Sequence, residues 1–216
     1  MNKYDLVLFD MDGTIANTDE LVVTSMEYFY KKYGHGYIRP REETIYFSGP
    51  PMKETMKKEF PDYDTDMLTK EFIEVSTPLY EQLVTSYPNC RHVLLKLKEQ
   101  GIKLGVVTNK AHGPALICLD VIGLENIFDL LIGSDDVKTL KPSNEGILKA
   151  MSIFGIKDKD RVLYVGDNPI DYDTAVNSGV DSCLVMWGPR KMDPRVNPKH
   201  KIYKYSDLLE VVLDEK

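Results

Sequence analysis

From Tyr87 onward, amphipathic helical segments alternate with short, continuous apolar runs, and this alternation restricts the possible folds more than any other feature of the chain. Continuous apolar strands separated by helices are typical of a parallel sheet that is covered by helices on both faces. We therefore predict an α/β fold with a doubly wound parallel sheet. The expected strands are 6–9, 103–107, 128–132, 161–165, 182–186 and 201–204, and the expected helices are 91–100, 114–122, 145–154, 172–177 and 206–212.

Strand signals are weak between residues 17 and 84, where apolar residues recur at helical spacing. The spacing predicts a first helix through Leu21 to Tyr33 with Thr18 or Asp19 as its N-cap, and further helices at 52–60 and 64–83. The segment Ser48-Gly49-Pro50-Pro51 separates the first two. We predict a small α-helical domain at 17–86, inserted into a main domain formed by 1–16 and 87–216.

Composition limits the classes of partner. The chain has 216 residues and a formal net charge of −7, which argues against a large basic surface for nucleic acid or acidic lipid. The apolar run at 6–9 is too short for a signal sequence or a membrane span, so we expect a cytoplasmic protein. The acidic composition is compatible with either a monomer or a homodimer. Cys90, Cys118 and Cys183 have no C-x-x-C spacing and indicate buried thiols rather than a disulfide framework or a zinc site.

Polar side chains follow several of the predicted strands. They belong to Asp10-Met11-Asp12-Gly13-Thr14, to Thr108-Asn109-Lys110, to Lys141 and to Gly166-Asp167 with Asp171. Ligands of open parallel sheets bind at the carboxyl ends of the strands, so we expect these groups to converge at one edge. Each of these segments is also compatible with an ordinary turn or helix cap, and it is their occurrence together that indicates a site.

The convergent groups suit phosphoryl transfer. Carboxylates such as Asp10 and Asp167 are the oxygen ligands that Mg²⁺ uses, and Mg²⁺ also binds substrate phosphate. Asp10 is ionised near neutral pH and can attack phosphorus directly, while Asp12 can exchange protons with the leaving group and with water. Thr108, Asn109 and Lys141 can bind the phosphoryl oxygens.

The four motifs, with Asp10-x-Asp12-Gly13-Thr14 first and Gly166-Asp167-x-x-x-Asp171 last, resemble those of the haloacid dehalogenase superfamily. The resemblance covers essentially the whole chain. It implies that Asp10 is the nucleophile and Asp12 the general acid and base. It further implies that Mg²⁺ is held by Asp10, the Asp12 backbone carbonyl and Asp167, with Asp171 as a supporting carboxylate of the metal site.

The helical insertion resembles the cap that closes over the active site in one branch of the superfamily. Ser48-Gly49-Pro50-Pro51, residues 136–141 and the loop Trp187-Gly188-Pro189-Arg190 are most similar to phosphoglycolate phosphatases and the bacterial pyrophosphatases close to them. The resemblance implies a small phosphorylated substrate, with phosphoglycolate first and pyrophosphate, a nucleotide or a sugar phosphate as alternatives. Arg39, Arg41 and Lys53 could recognise a second anionic group or be ordinary surface charges, and His112 lies close enough to Thr108 to contact substrate.

Other branches and classes fit less well. Dehalogenases and phosphonoacetaldehyde hydrolases lack a carboxylic acid at the position of Asp12, and β-phosphoglucomutases carry a histidine where this chain has Val22. A receiver-like signalling domain gathers similar groups, but its phosphorylated aspartate lies on the third strand and has no acid two residues later. A phosphate-binding protein without catalysis is a further alternative, although the retention of Asp10, Asp12, Lys141 and Asp167 favours an enzyme.

Overall fold

The computed structural model of the protein describes residues 2–189 and 191–213. In chain order, the strands are β1 Leu6–Phe9, β2 Ala16–Asn17, β3 Thr85–Ser86, β4 Lys103–Val107, β5 Leu130–Ile132, β6 Val162–Gly166, β7 Asp181–Val185 and β8 His200–Ile202. Six of them form a parallel sheet in the order β5-β4-β1-β6-β7-β8. The predicted α/β fold with a doubly wound parallel sheet is confirmed.

The helices are α1 Asp19–Tyr33, α2 Arg41–Thr44, α3 Met52–Glu59, α4 Thr65–Ser76, α5 Tyr80–Leu83, α6 Cys90–Glu99, α7 His112–Val121, α8 Glu145–Phe154, α9 Pro169–Ser178 and α10 Asp207–Val212. Most of the predicted elements are present within a few residues. The continuous helix predicted at 64–83 is wrong. It ends at Ser76, and a 3₁₀ turn at Thr77–Leu79 precedes α5. Pro78 lies in this turn, and proline has no N–H to continue an α-helix.

The sheet is buried on both faces. All four residues of β1 are inaccessible to solvent, and their side chains alternate between two apolar clusters. Val7 and Phe9 pack in the cluster that includes residues of α6, α7 and α10, whereas Leu6 and Leu8 pack with residues of α8 and α9. This burial places β1 at the centre of the molecule and fixes the position of the residue that follows it, Asp10.

The segment 17–86, called here the helical insertion, has an apolar core of its own. Phe29 of α1 lies at its centre, with ring centroids 6.1 Å from both Phe60 and Phe72. The chain enters the helical insertion through β2 and leaves it through β3, and these two strands pair antiparallel. The division of the chain into two domains at these points stays a prediction. No helix in the described ranges is both long and apolar enough to cross a membrane.

Candidate active site

The carboxyl ends of three adjacent strands form the base of the site. Asp10 follows β1, Thr108 follows β4 and Asp167 follows β6, and the strand order places β1 between the other two. Parallel strands end at the same edge of a sheet, so the three side chains lie close together. The convergence that the sequence predicted is therefore present in the structure.

Lys141 reaches into this edge and contacts two carboxylates. Its Nζ lies 2.7 Å from Asp10 Oδ1 and 2.7 Å from Asp171 Oδ1, and it donates to the hydroxyl of Tyr164 at 3.1 Å. The Lys141 side chain is 3% exposed. Burial lowers the pKa of Lys141, but Asp10 and Asp171 more than offset this effect, so the net pKa lies well above its usual range. Lys141 is therefore a permanent positive charge beside Asp10.

Asp10, Asp167 and Asp171 form a carboxylate cluster in which one oxygen atom from each residue lies within 4.8 Å of the other two. Burial raises the pKa of the Asp10 carboxyl, and Lys141 only partly offsets that rise. Asp10 Oδ2 is buried and accepts no hydrogen bond from any described residue. A divalent cation at this oxygen would stabilise the charged form of Asp10, so the donor set fits a hard ion such as Mg²⁺.

Asp171 differs from the other two members of the carboxylate cluster. Its Oδ1 contacts Lys141, and its Oδ2 accepts hydrogen bonds from the backbone N–H groups of Asp167 at 3.1 Å and Asn168 at 3.0 Å. It thereby completes a capping box at the start of α9. Both of its oxygens already have protein partners, an arrangement that suits a carboxylate that orients Lys141 and the loop carrying Asp167.

Gly13 explains why the first motif requires glycine. Its φ is +81°, a backbone conformation that other residues rarely adopt. A Cβ atom on Gly13 would also lie 2.2 Å from Asp167 Oδ2. Glycine thus allows the turn after Asp12 to pass directly against the Asp167 carboxylate, and any other residue would displace that carboxylate.

The Asp12 carboxylate has different neighbours. Its Oδ1 accepts a hydrogen bond from Thr18 Oγ1 at 2.8 Å, and Lys110 Nζ lies 3.0 Å from both of its oxygens. Thr18, one of the two residues predicted for this position, is the N-cap residue of α1, but its hydroxyl makes no capping bond to the helix. The hydroxyl contacts Asp12 instead, so the start of the helical insertion helps to hold the second aspartate.

Lys110 is a functional candidate whose role the sequence pattern alone did not indicate. Its side chain is 15% exposed, and its ammonium lies 5.7 Å from the centroid of the Tyr80 ring. Burial lowers the pKa of Lys110, but Asp12 and Tyr80 more than offset this effect and hold it above its usual range. The available signal was its place at the end of β4, two residues after Thr108.

Thr108 and Asn109 follow β4, which is next to β1, and so lie at the same edge of the sheet as Asp10. Thr108 is buried, and its Oγ1 accepts a hydrogen bond from the Lys110 backbone N–H at 3.2 Å. Asn109 Oδ1 accepts from the Lys141 backbone N–H at 2.9 Å. The Nδ2 of Asn109 is buried and has no hydrogen-bond partner in the described part of the chain, so it is a donor available to a ligand.

Several polar residues considered from sequence have partners elsewhere. Arg39 pairs with Glu59, Arg41 with Glu20 and Lys53 with Asp66. His112 Nδ1 lies 2.6 Å from Asp136 Oδ2. Arg190, from the loop that follows β7, lies outside the described residues.

A family model for haloacid dehalogenase-like hydrolases matches residues 7–185, which include every motif of the site. The chain belongs to the haloacid dehalogenase-like hydrolase family. Its curated relatives in this family include the pyrophosphatase PpaX of Halalkalibacterium halodurans, 33% identical over 212 residues that cover 97% of each chain. The pyrophosphatase PpaX of Listeria monocytogenes serotype 4b is 30% identical and covers 99% of this chain and 98% of its own.

Solved structures of the haloacid dehalogenase-like family share the fold. One is a predicted phosphoglycolate phosphatase from Haemophilus somnus, which superposes with a TM-score of 0.87 at 20% identity and covers 98% of this chain and 99% of its own. At this level of identity the similarity shows the fold alone. The family membership inferred from the four motifs is confirmed, and this membership makes the chain a hydrolase.

Proposed function

We propose that this protein is a Mg²⁺-dependent phosphatase that hydrolyses a small phosphorylated metabolite through a phosphoryl intermediate on Asp10. The observation that carries the proposal is the environment of Asp10. Its buried carboxylate has one oxygen on Lys141 and one that no described residue hydrogen-bonds, at an edge where phosphate-binding donors also converge. An ionised carboxylate held in this way is a nucleophile aimed at an electrophile outside the protein.

The same cluster provides the metal site in this proposal. Asp10, Asp167 and the Asp12 backbone carbonyl would hold Mg²⁺, and Asp171 would support them through Lys141 and the Asp167 backbone. When bound, the ion supplies positive charge to the phosphoryl oxygens and to Asp10. The predicted metal residues Asp10, Asp12, Asp167 and Asp171 thus fall into three direct ligands and one supporting group.

In the first half of the proposed reaction, an Asp10 oxygen forms a bond to phosphorus as the bond to the leaving oxygen breaks. Protonated Asp12 gives its proton to the leaving oxygen, which departs as a neutral alcohol or an acid. Lys141 and the side chains of Thr108 and Asn109 stabilise the charge on the phosphoryl oxygens. This half leaves a phosphoryl group on Asp10 and a carboxylate on Asp12.

In the second half, the Asp12 carboxylate takes a proton from water, and the water oxygen attacks phosphorus. The bond between Asp10 and phosphorus breaks, inorganic phosphate leaves and both aspartates return to their starting forms. Lys110 and Thr18 contact the Asp12 carboxylate and orient it for this step. The two halves together consume one water molecule.

The names of similar proteins suggest two compounds to test first. The curated relatives are named pyrophosphatases, and the predicted Haemophilus somnus enzyme is named for phosphoglycolate. We rank phosphoglycolate first and pyrophosphate second, with nucleotides and sugar phosphates as further alternatives. The hydrolase family disfavours the phosphate-binding and receiver-like alternatives.

The experiment is phosphate release from a panel of these compounds, with Mg²⁺ or with a chelator, by the wild type and Asp10→Asn. We expect metal-dependent release by the wild type and none by the variant. Equal release with chelator would refute the metal requirement, and an active Asp10→Asn variant would refute the nucleophile.

A further inference from the structure

A chamber of about 390 Å³ lies between the helical insertion and the edge of the sheet. Asp12, Asn109 and Lys110 line its inner end, so it begins where the leaving group of a phosphate ester on Asp10 would be. Its volume falls within the range of about 300–1,000 Å³ that is typical of pockets for small organic ligands. A set of apolar side chains from the helical insertion forms much of the wall: Leu21, Val22, Phe47, Met52, Phe72 and Ile73.

The described charged residues of the chamber already have partners within the protein. Its two described lysines are Lys110, which pairs with Asp12 at 3.0 Å, and Lys53, which pairs with Asp66 at 2.5 Å. The carboxylate of Asp135, also in the lining, accepts the backbone N–H of His112 at 2.7 Å. A second anionic group on the substrate would face apolar walls and lysines with carboxylate partners, and burying a charge without a partner is costly.

We propose that the preferred substrate is a phosphate monoester whose alcohol carries an uncharged, apolar body, which the chamber encloses. This inference rests on the proposed function, because it takes the phosphoryl group to be bound at Asp10. It differs from the ranking based on the names of similar proteins. Pyrophosphate and phosphoglycolate are compact, carry a second anionic group and would leave most of the chamber unfilled.

A series of linear alkyl phosphates from methyl to hexyl tests the inference. The alcohols have similar acidity, so the chemical step stays nearly constant while the apolar surface increases. Burial of a methylene stabilises the bound state enough to raise kcat/KM about fourfold for each one that the chamber encloses. We expect this rise, and we expect hexyl phosphate to exceed both phosphoglycolate and pyrophosphate.

A matched pair of variants on α4 locates the effect. Ile73 lines the chamber and is 38% exposed, whereas Met67 is on the same helix, is 44% exposed and does not line it. Ile73→Lys places a positive charge in the wall. It should remove the binding contribution of about two methylenes and so lower the ratio of hexyl to methyl phosphate hydrolysis at least tenfold. Met67→Lys should leave that ratio unchanged. An unchanged ratio in Ile73→Lys would overturn the inference.

The outcomes separate the inference from the proposed function. A flat or falling alkyl series, with pyrophosphate or phosphoglycolate hydrolysed best, overturns the inference and leaves the phosphatase proposal intact. No hydrolysis of any compound overturns both. As a readout without turnover, calorimetric titration should give tighter binding for hexylphosphonate than for methylphosphonate, and equal Kd values would contradict the chamber as the site of the alkyl group.

Discussion

The two ends of the site are built in opposite ways. At the sheet edge, the carboxylate cluster and Lys141 form a dense set of buried charges, in which Lys141 contacts both Asp10 and Asp171. Next to this edge, the chamber has mainly apolar walls, and its described lysines are paired with carboxylates. The first region can bind a phosphoryl group and the second an uncharged body.

The difference indicates a division of work. Charge at the sheet edge acts on atoms common to every phosphate ester, so changes there should affect all substrates alike. The walls of the chamber come mainly from the helical insertion and, in the proposed binding mode, would contact only the part that distinguishes one substrate from another. Variants at the sheet edge and around Asp12 should therefore lower turnover, whereas variants of the chamber wall should change the order of preference.

Asp10→Asn should have the largest effect. Loss of the nucleophile should lower kcat by about 10⁴-fold or more for every substrate, as found when nucleophiles are removed from other hydrolases. Steady-state phosphate release measures this effect. Asp173→Asn is the control, because Asp173 lies in α9 and pairs with the exposed Arg195. If Asp10→Asn kept a tenth of wild-type turnover, the role given to the sheet edge would be contradicted.

Lys141→Met should lower stability as well as activity. It leaves Asp10 and Asp171 buried without their shared ammonium, and breaking a buried ion pair from one side costs about 3–5 kcal/mol. Urea unfolding in the presence of chelator measures this loss. Lys149→Met, whose ammonium donates to the backbone carbonyl of Asp136 at the protein surface, should change stability by less than about 0.5 kcal/mol. Equal losses in the two variants would show that the Lys141 contacts contribute little.

Lys110→Met should lower kcat about a hundredfold. The variant removes the cation that holds the Asp12 carboxylate, and general acid–base catalysis contributes about 10²–10⁴-fold. Turnover of methyl and hexyl phosphate should fall by the same factor, because Lys110 acts through Asp12. Lys110→Arg, which keeps the charge, should retain more activity than Lys110→Met. A loss confined to substrates with a second anionic group would instead make Lys110 a direct substrate contact.

Thr18→Val should give the smallest effect. It removes one hydrogen bond to Asp12, a contribution of about 1 kcal/mol that corresponds to a loss of roughly fivefold in kcat. Thr18→Ser keeps the hydroxyl and should behave like the wild type. Identical kcat values for the valine and serine variants would show that this contact does not orient Asp12.

The base of the site was predictable because its residues follow strands directly. Asp10, Thr108 and Asp167 each come immediately after an apolar run, and parallel strands bring such residues to one edge. The central strands were predictable for the same reason, since β1 is buried and apolar throughout and β4 is buried from Leu104 to Val107. For these residues, local sequence and the rules of parallel sheets are sufficient.

Contacts between distant segments were not predictable in the same way. Thr18 has the position of a helix N-cap, and only the fold shows that its hydroxyl contacts Asp12. Lys110 contacts a carboxylate 98 positions away. Much of the chamber wall comes from apolar side chains of the helical insertion. They have the same spacing along the sequence as the side chains that form the core of the helical insertion, so spacing alone cannot distinguish the two sets. Pro78 is a sequence signal for the end of α4. Because apolar residues have helical spacing on both sides of it, the pattern predicted one continuous helix instead.

The proposed mechanism transfers a phosphoryl group to Asp10. The most direct measurement uses Asp12→Asn with Mg²⁺ and 4-nitrophenyl phosphate, whose leaving group departs without a proton, followed by acid quench and peptide mass spectrometry. Loss of the base that activates water should make the intermediate accumulate. We predict one phosphoryl group on the peptide that contains Asp10. An unmodified peptide, from a protein whose wild type turns over the same compound, would contradict the account.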